Sequence, residues 1–312
     1  MIKKLLPAAA VLALLLTAAV AYIWFSRPLD VSFDALRSTI PHAENSNFAE
    51  VEGIRIHYQE KGSGTPIVLI HGYTSSVYTW KDEIDALAQK YHVIAVDLKG
   101  FGFSDKPDGD YTRRAQGELV AGLLDKLRIE HAWLAGNSMG GEVALNVAVY
   151  HPEKVLGLVL IDSSGVKFER KTSLTPWYLQ IPVVGRVLIA MALTSDGLVR
   201  RGLENSFFDR SKVTDDRVAF YYQPLRTQGG QIGAVRAREQ FEQLPIEDKL
   251  NSISVPTLII WGADDELIPL ASGKSMHELI RGSKMIVLQN CGHVPQEETP
   301  ERVISEINNF IK

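Results

Sequence analysis

The sequence is nearly without cysteine: Cys291 is alone among 312 residues. One thiol excludes an intramolecular disulfide framework and a cysteine-based zinc cluster. The eight histidines include no pair with H-x-x-x-H or comparable metal-ligand spacing. We therefore expect the protein to hold no metal ion, and no motif indicates a cofactor.

A strongly basic segment is missing as well. The 33 Lys and Arg residues are outnumbered by 37 Asp and Glu residues, which gives a net charge of −4. This balance argues against a nucleic-acid-binding protein of the usual basic kind. A composition of 46% apolar and 22% charged residues is typical of a globular chain. Length suggests roughly two domains, although one α/β domain can be this large.

One long apolar run is present at the N-terminus. Residues 5–25, LLPAAAVLALLLTAAVAYIWF, contain no charge and follow Lys3 and Lys4. A helix of that length spans about 30 Å, the thickness of the hydrocarbon layer of a bilayer. We expect residues 1–25 to be an uncleaved single-pass membrane anchor, with the rest of the chain periplasmic if the source is bacterial. The alternative is a cleaved signal peptide, because Ala19-Val20-Ala21 resembles an A-x-A site.

After the apolar run, the sequence predicts a polar stalk over 26–47 and one catalytic domain over 48–312. Short apolar runs that are typical of buried strands alternate with amphipathic helical segments in this domain. Such alternation indicates a mostly parallel central sheet flanked by helices. The alternation stops between about 163 and 250, where we expect a mainly helical insertion that includes an apolar run at Val183–Leu193. The predicted strands are Glu50–Gln59, Ile67–Ile70, His92–Val96, Ala132–Ala135, Val155–Ile161, Thr257–Trp261 and Lys284–Leu288, and the predicted helices are Trp80–Lys90, Thr112–Leu127, Met139–Tyr150, Ala271–Ile280 and Pro300–Ile311.

The sharpest chemical signal is LAGNSMGG at 134–141, a G-x-S-x-G motif between an apolar strand and a helix. Glycines two positions away on either side allow the strand to turn sharply into the helix. The turn leaves the Ser138 hydroxyl exposed at the end of the strand, beside a helix N-terminus that favours negative charge. Ser138 is therefore the candidate nucleophile.

A serine nucleophile needs a base and an acid that orients the base. His293, in a loop between the last predicted strand and the last predicted helix, is the candidate base. The candidate acid is Asp265 in WGADDELIP at 261–269, just after a strand. Asp264 beside it and Asp162 after another strand are the rival acids.

An oxyanion needs two N–H donors. The turn at Ser138 supplies the backbone N–H of Met139. The second is expected from the loop after Ile67–Ile70, where Gly72 allows the N–H of Tyr73 to point at the site.

Residues 48–312 resemble α/β-hydrolase fold proteins throughout. The landmarks are HGYTSSVYTW at 71–80, DLKGFGFSDKP at 97–107, GNSMGG at 136–141, WGADDELIP at 261–269 and NCGH at 290–293. The resemblance implies Asp265 as the acid and the insertion at 163–250 as a cap over the site. Among branches, the pattern is similar to membrane-anchored monoacylglycerol-lipase and esterase-type members.

Three hypotheses about function follow. The leading one is a serine hydrolase of carboxylic esters, with a lipophilic small molecule as substrate and residues 5–25 as the contact with the membrane. The second is hydrolysis of a C–C bond in a diketone of meta-cleavage type, since GNSMGG also resembles those enzymes. Those enzymes, however, usually carry an HGSGPG loop and a Trp directly after the histidine. This sequence has HGYTSS and Val294 at the corresponding places. The third is a binding protein on the same fold without catalysis.

Overall fold

The structure is a computed structural model that describes residues 2–26, 32–168, 188, 195–225, 228–241 and 246–312. An eight-stranded sheet is its centre. Each of the short apolar runs forms a strand, and most strand positions are buried because helices cover both faces. The strands are β1 Ser46–Val51, β2 Ile54–Gly62, β3 Thr65–Ile70, β4 Tyr91–Val96, β5 Ala132–Asn137, β6 Val155–Ile161, β7 Thr257–Gly262 and β8 Lys284–Leu288.

The strand order across the sheet is β1-β2-β4-β3-β5-β6-β7-β8. The pairs β1·β2 and β2·β4 are antiparallel, and every other neighbouring pair is parallel. The mostly parallel sheet is therefore confirmed. Parallel strands end at one edge of a sheet, so the loops that follow β3, β5, β6, β7 and β8 meet there.

Helices lie on both faces of the sheet, as expected for strands buried on two sides. Alternate side chains of β3 show the division: Val68 and Ile70 belong to the apolar cluster on one face, whereas Ile67 and Leu69 belong to a separate cluster on the other. The helices are α1 Ile2–Ser26, α2 Phe33–Leu36, α3 Ile84–Leu87, α4 Arg113–Lys126, α5 Met139–Tyr150, α6 Asp196–Glu204, α7 Asp215–Leu225, α8 Gln228–Glu239, α9 Leu270–Leu279, α10 Pro295–Glu298 and α11 Pro300–Phe310, with short 3-10 helices at Ala43–Asn45, Val77–Trp80, Pro152–Lys154, Arg210–Lys212 and Glu247–Ser252.

Two predicted elements are wrong. The single strand expected over Glu50–Gln59 is a hairpin of β1 and β2, because Glu52 and Gly53 both have positive φ, 51° and 76°. Two such residues form the tight turn that joins antiparallel strands. The helix expected over Trp80–Lys90 is only the four-residue α3 with a 3-10 helix before it.

The insertion between β6 and β7 is helical where the structure describes it. It contains α6, α7 and α8, and its described residues include no strand. A small apolar cluster of Leu203, Phe207, Val213, Val218 and Tyr221 joins it to Tyr78 and Val294 of the sheet domain. Apart from residue 188, the predicted apolar run at 183–193 lies outside the described residues.

The N-terminal run forms the 25-residue helix α1. Crossing a bilayer takes roughly 20 consecutive apolar residues in a helix, and within the described ranges no helix is both long and apolar enough to do so. The membrane anchor predicted over residues 5–25 is therefore not supported.

The segment predicted as a stalk contacts the sheet domain. The ring of Phe33 packs against Phe48, His57 and Phe103 with centroid separations of 5.3–5.5 Å. His42 Nε2 lies 2.7 Å from the carbonyl oxygen of Lys81. The division of the chain at residues 25 and 47 remains a prediction.

Packing of the central strands can be tested at Gly157 in β6. A Cβ there would lie 2.2 Å from the ring of Trp133 and 2.7 Å from the carbonyl oxygen of Pro256. Since an overpacked core is strained, we expect Gly157→Ala to lower the free energy of unfolding in urea by about 1–3 kcal/mol.

The matched control is Gly202→Ala in α6, where a Cβ would meet nothing within 4 Å. Alanine is the better helix former, so this change should raise the free energy of unfolding by about 0.5–1 kcal/mol. Equal effects of the two substitutions would contradict the packing described for β6.

Candidate active site

Ser138 lies at the sharp turn between β5 and α5. Its backbone has φ 54° and ψ −118°, a strained combination for any residue other than glycine. A Cβ on Gly136 would lie 2.3 Å from the carbonyl oxygen of Gly140, and a Cβ on Gly140 would lie 2.2 Å from that of Ile70. The two glycines of the motif are therefore required by backbone contacts, and they hold Ser138 at the carboxyl edge of the sheet.

His293 follows β8 and is held by hydrogen bonds on both sides of its backbone. Its N–H donates to the carbonyl oxygen of Ser206 at 2.8 Å. Its carbonyl oxygen accepts from the side-chain amide of Asn137 at 3.0 Å. Because Asn137 immediately precedes Ser138, this bond ties the histidine loop to the serine turn.

Asp265 follows β7 and orients the imidazole of His293. Its Oδ2 lies 2.7 Å from His293 Nδ1, and its Oδ1 accepts the N–H groups of Leu267 and Ile268 at 2.7 and 3.0 Å. Burial would raise the pKa of Asp265, but the attraction of His293 and these hydrogen bonds outweigh it and lower the pKa. Asp264 is exposed, so of the two neighbouring aspartates it is Asp265 that contacts the histidine.

The loop after β3 lies against the serine turn. A Cβ on Gly72 would lie 3.3 Å from that of Ser138, so the two segments are in contact. His71 Nε2 accepts the N–H of Leu98 at 3.0 Å, which leaves Nδ1 to donate to the carbonyl oxygen of Gly72 at 2.7 Å. These bonds hold the loop from within. The Tyr73 hydroxyl donates to the carbonyl oxygen of Ala234 in α8 at 2.8 Å.

The two candidate oxyanion donors border this contact. Tyr73 follows Gly72 directly, and Met139 is the first residue of α5, where an N–H has no acceptor within the helix. Desolvation raises the pKa of the Tyr73 phenol to about 12, so the hydroxyl stays protonated and uncharged at neutral pH.

Sequence reasoning missed Asp97, which holds the same loop from the end of β4. This buried carboxylate accepts the N–H of Val77 at 2.7 Å, the N–H of Phe103 at 2.8 Å and a hydrogen bond from His57 Nδ1 at 2.7 Å. Burial would raise the pKa of Asp97, but the contact with His57 and these bonds lower it. A Cβ on Gly102, which has φ 49°, would overlap the carboxylate. The motif DLKGFGFSDKP contains both residues, and that is the signal from which they could have been found.

A buried polar network under the serine turn was also missed. The Ser164 hydroxyl lies 3.2 Å from the carbonyl oxygen of Ser138 and 2.8 Å from Glu142 Oε2. The buried guanidinium of Arg113 lies 3.7 Å from the same Glu142 oxygen and stacks on the ring of Phe241 at 4.4 Å. Because these partners are distant in sequence, no local pattern predicts the network.

A second buried network joins the insertion between β6 and β7 to the loop that carries His293. Glu297 in α10 pairs with Arg217 at 3.0 Å and accepts the Thr79 hydroxyl at 2.7 Å. It also accepts a short hydrogen bond from the hydroxyl of Tyr221 in α7. The residues just after His293 are therefore fixed against the helices of the insertion.

Asp162, Asp265 and His293 are the one group of potential metal ligands in the described part of the chain. They place one ligand atom each within 4.8 Å of one another. The hydrogen bond between His293 and Asp265 already joins two of the three side chains, so the arrangement fits an acid–base pair with a further carboxyl behind it.

The sheet topology and the arrangement of these loops agree with a known protein family. A family model described as the alpha/beta hydrolase fold matches residues 65–300. The chain belongs to the α/β-hydrolase fold family. The hydrolase family expected from the sequence is thus confirmed.

Individual relatives differ in what they act on. The hydrolase is 32% identical over 266 residues to the hydrolase YugF of Bacillus subtilis, covering 84% of this chain and 96% of YugF. It is 33% identical over 269 residues to the 2-hydroxymuconate semialdehyde hydrolase of Pseudomonas sp. (strain CF600), covering 83% and 91%. The crystal structure of a membrane phospholipase A matches with a TM-score of 0.76 and 28% identity, covering 100% of this chain and 98% of that one.

The role of Asp97 can be tested by Asp97→Asn. The amide cannot accept the same set of hydrogen bonds, so the free energy of unfolding at pH 7 should fall by about 3 kcal/mol. A carboxyl whose pKa is lowered by folding stabilises above its unfolded pKa of about 3.9, and this stability is lost as the pH falls through its folded pKa. Urea unfolding at several pH values should therefore show that the variant loses less stability than the wild type below about pH 5.

The control for this comparison is Asp216→Asn in α7, where the carboxylate is exposed. It should change stability by less than about 0.5 kcal/mol. If Asp97→Asn loses stability in acid as steeply as the wild type, the assignment of Asp97 as an ionised, loop-holding carboxylate is wrong.

Proposed function

We propose that this hydrolase cleaves carboxylic esters through a Ser138–His293–Asp265 triad and an acyl-enzyme. The observation that carries the proposal is the 2.7 Å hydrogen bond from His293 Nδ1 to Asp265 Oδ2. It joins two loops at the edge of the sheet where the strained turn presents Ser138. A nucleophile, a base and an orienting acid are the parts that acyl transfer needs.

The reaction follows from these roles. With Nδ1 donating to Asp265, Nε2 of His293 is left to accept the proton of Ser138 as Oγ attacks the acyl carbon. The N–H groups of Tyr73 and Met139 then stabilise the oxyanion. His293 returns the proton to the leaving alcohol as the ester C–O bond breaks. Water, deprotonated by His293, hydrolyses the acyl-enzyme and restores Ser138.

The charge of the acid supports this mechanism. The lowered pKa of Asp265 keeps the carboxylate ionised at neutral pH, and an anion beside Nδ1 stabilises the imidazolium that forms during attack.

We further propose that the esters are lipophilic. Val294, directly after His293, packs with Phe207, Val218 and Tyr221 of the insertion and with Tyr78 after β3. Apolar side chains beside the proposed base favour an acyl or alcohol group of the same character. The similarity to a membrane phospholipase A over the whole chain points the same way.

Hydrolysis of a C–C bond in a diketone is the second candidate. It is favoured by the identity of 33% to a 2-hydroxymuconate semialdehyde hydrolase and by the GNSMGG turn. The HGYTSS loop and Val294 differ from the HGSGPG loop and the Trp that those enzymes usually carry. For this reason we place ester hydrolysis first.

The nucleophile is tested by Ser138→Ala. Turnover of p-nitrophenyl esters should fall by at least about 10⁴-fold, because the acyl-enzyme cannot form. Labelling by a fluorophosphonate probe should be lost at the same time. The matched control is Ser305→Ala on the exposed side of α11, which should keep both. Failure of the wild type to react with the probe would instead favour a non-catalytic binding protein.

The substrate class is tested by a direct comparison on the wild type. We expect kcat/KM to rise at least about tenfold from acetyl to octanoyl p-nitrophenyl esters, since each buried methylene contributes about 0.8 kcal/mol. The control substrate is a vinylogous diketone of meta-cleavage type. A higher kcat/KM for the diketone than for every ester would overturn the ester assignment in favour of C–C hydrolysis.

A further inference from the structure

A second aspartate, Asp162, is buried behind the candidate triad. It directly follows β6, the strand between β5, which leads to Ser138, and β7, which leads to Asp265. Its relative exposure is 0%, and its φ of 41° lies in the left-handed region that aspartate and asparagine tolerate better than most residues. The ester mechanism assigns Asp162 no role, although a buried carboxyl without a role is costly.

The two oxygens of Asp162 have different surroundings. Oδ1 accepts the N–H of Gly262 at 3.0 Å. Oδ2 finds no hydrogen-bond donor among the described residues. The Asp162 carboxyl also lies beside another acceptor, since one of its oxygens, a carboxyl oxygen of Asp265 and a ring nitrogen of His293 lie within 4.8 Å of one another.

Two carboxyls this close and this deeply buried do not both ionise, because each charge opposes the other and neither is solvated. The donors decide which one keeps the charge. Asp265 is bonded to two backbone N–H groups and to His293, whereas Asp162 has a single N–H. The charge is therefore better stabilised on Asp265, and the proton belongs on Asp162.

We propose that Asp162 is a neutral carboxylic acid that donates a hydrogen bond from Oδ2 to the carboxylate of Asp265. It is a positioning residue, since it acts on the imidazole only through Asp265. The proton gives Oδ2 the partner that it lacks as a carboxylate, and it leaves one negative charge facing His293 instead of two. The role in catalysis rests on the proposed triad.

The other titratable groups around Asp162 agree with this assignment. Glu298 faces it from α10 and accepts the N–H groups of Gly292, Phe208 and Asp209, and Cys291 is buried nearby with its pKa raised to about 12 by desolvation. Burial and then Asp265 raise the pKa of Asp162 well above the ordinary value.

The experiment compares Asp162→Asn with Asp162→Ala by the pH dependence of kcat/KM for a p-nitrophenyl ester. Asparagine is uncharged and can donate to Asp265, so the acid limb, which reports the pKa of His293, should stay within about 0.2 pH units of the wild type. Alanine removes the donor, which leaves Asp265 more basic; kcat should fall about tenfold and the acid limb should move to higher pH. Thermal melting establishes that each variant is folded.

If Asp162 were ionised, the acid limb would shift in the opposite direction. Either substitution would then remove a negative charge near His293, lower the pKa of the imidazole and move the acid limb to lower pH. That result would overturn the proposal, and so would an unchanged profile and unchanged kcat in both variants.

An infrared difference spectrum of the wild type minus Asp162→Asn at pH 7 keeps the proposal testable without catalysis or an alanine variant. A neutral carboxyl C=O band in the wild type, lost in the variant, is the expected result. Other buried acids with raised pKa values, such as Glu83 and Glu142, are common to both proteins and cancel. Absence of the band overturns the proposal even if ester hydrolysis is confirmed. Presence of the band supports a neutral Asp162 even if the substrate is not an ester.

Discussion

The parallel pairing of β3, β5, β6, β7 and β8 is the constraint on which the site depends. Ile70 pairs with Gly136, Asn137 with Ile161, Ile161 with Ile260, and Gly262 with Leu288. Each strand therefore ends at the same edge of the sheet, and the loops that follow the strands lie side by side along that edge. Ser138, the two aspartates and His293 come from four different loops, and this shared register brings those loops together at one edge of the sheet.

Close backbone contacts and buried hydrogen bonds hold those loops in place. The serine turn requires glycine at 136 and 140 because carbonyl oxygens occupy the space of a side chain. Asp97 holds the loop after β3, and Asp265 is itself held by two N–H groups of its own turn. Such fully bonded carboxylates stay ionised in a buried environment, so the same bonds that order the loops also distribute the charge.

The insertion between β6 and β7 is attached through its own polar contacts. Arg217 and Tyr221 of α7 meet Glu297, and the hydroxyl of Tyr73 meets α8. The loops that carry His293 and the candidate oxyanion donor thus contact the insertion directly. A change in the insertion would therefore be felt directly by these loops.

Elements that depend on neighbouring residues could be predicted from the sequence, whereas elements that depend on contacts between distant residues could not. β6 and α5 were predicted to the residue because apolar runs and periodicity are local properties. The hairpin at Glu52 and Gly53 was read as one strand because the side-chain alternation continues through the turn. The short α3 was overextended because its apolar spacing is helical, while the chain must leave the helix to enter β4.

The sequence by itself determined the fold class, the strained serine turn and the candidates for base and acid, since each depends on residues adjacent in the chain. The family resemblance implied Asp265 rather than Asp264, and the tertiary structure shows its contact with His293. Only the tertiary structure decided that Asp97 holds the loop after β3 and that Asp162 lies behind Asp265. Asp162 and the Gly262 N–H that it accepts are 100 residues apart. Contacts over such separations arise from strand register and packing, which no local pattern of residues encodes.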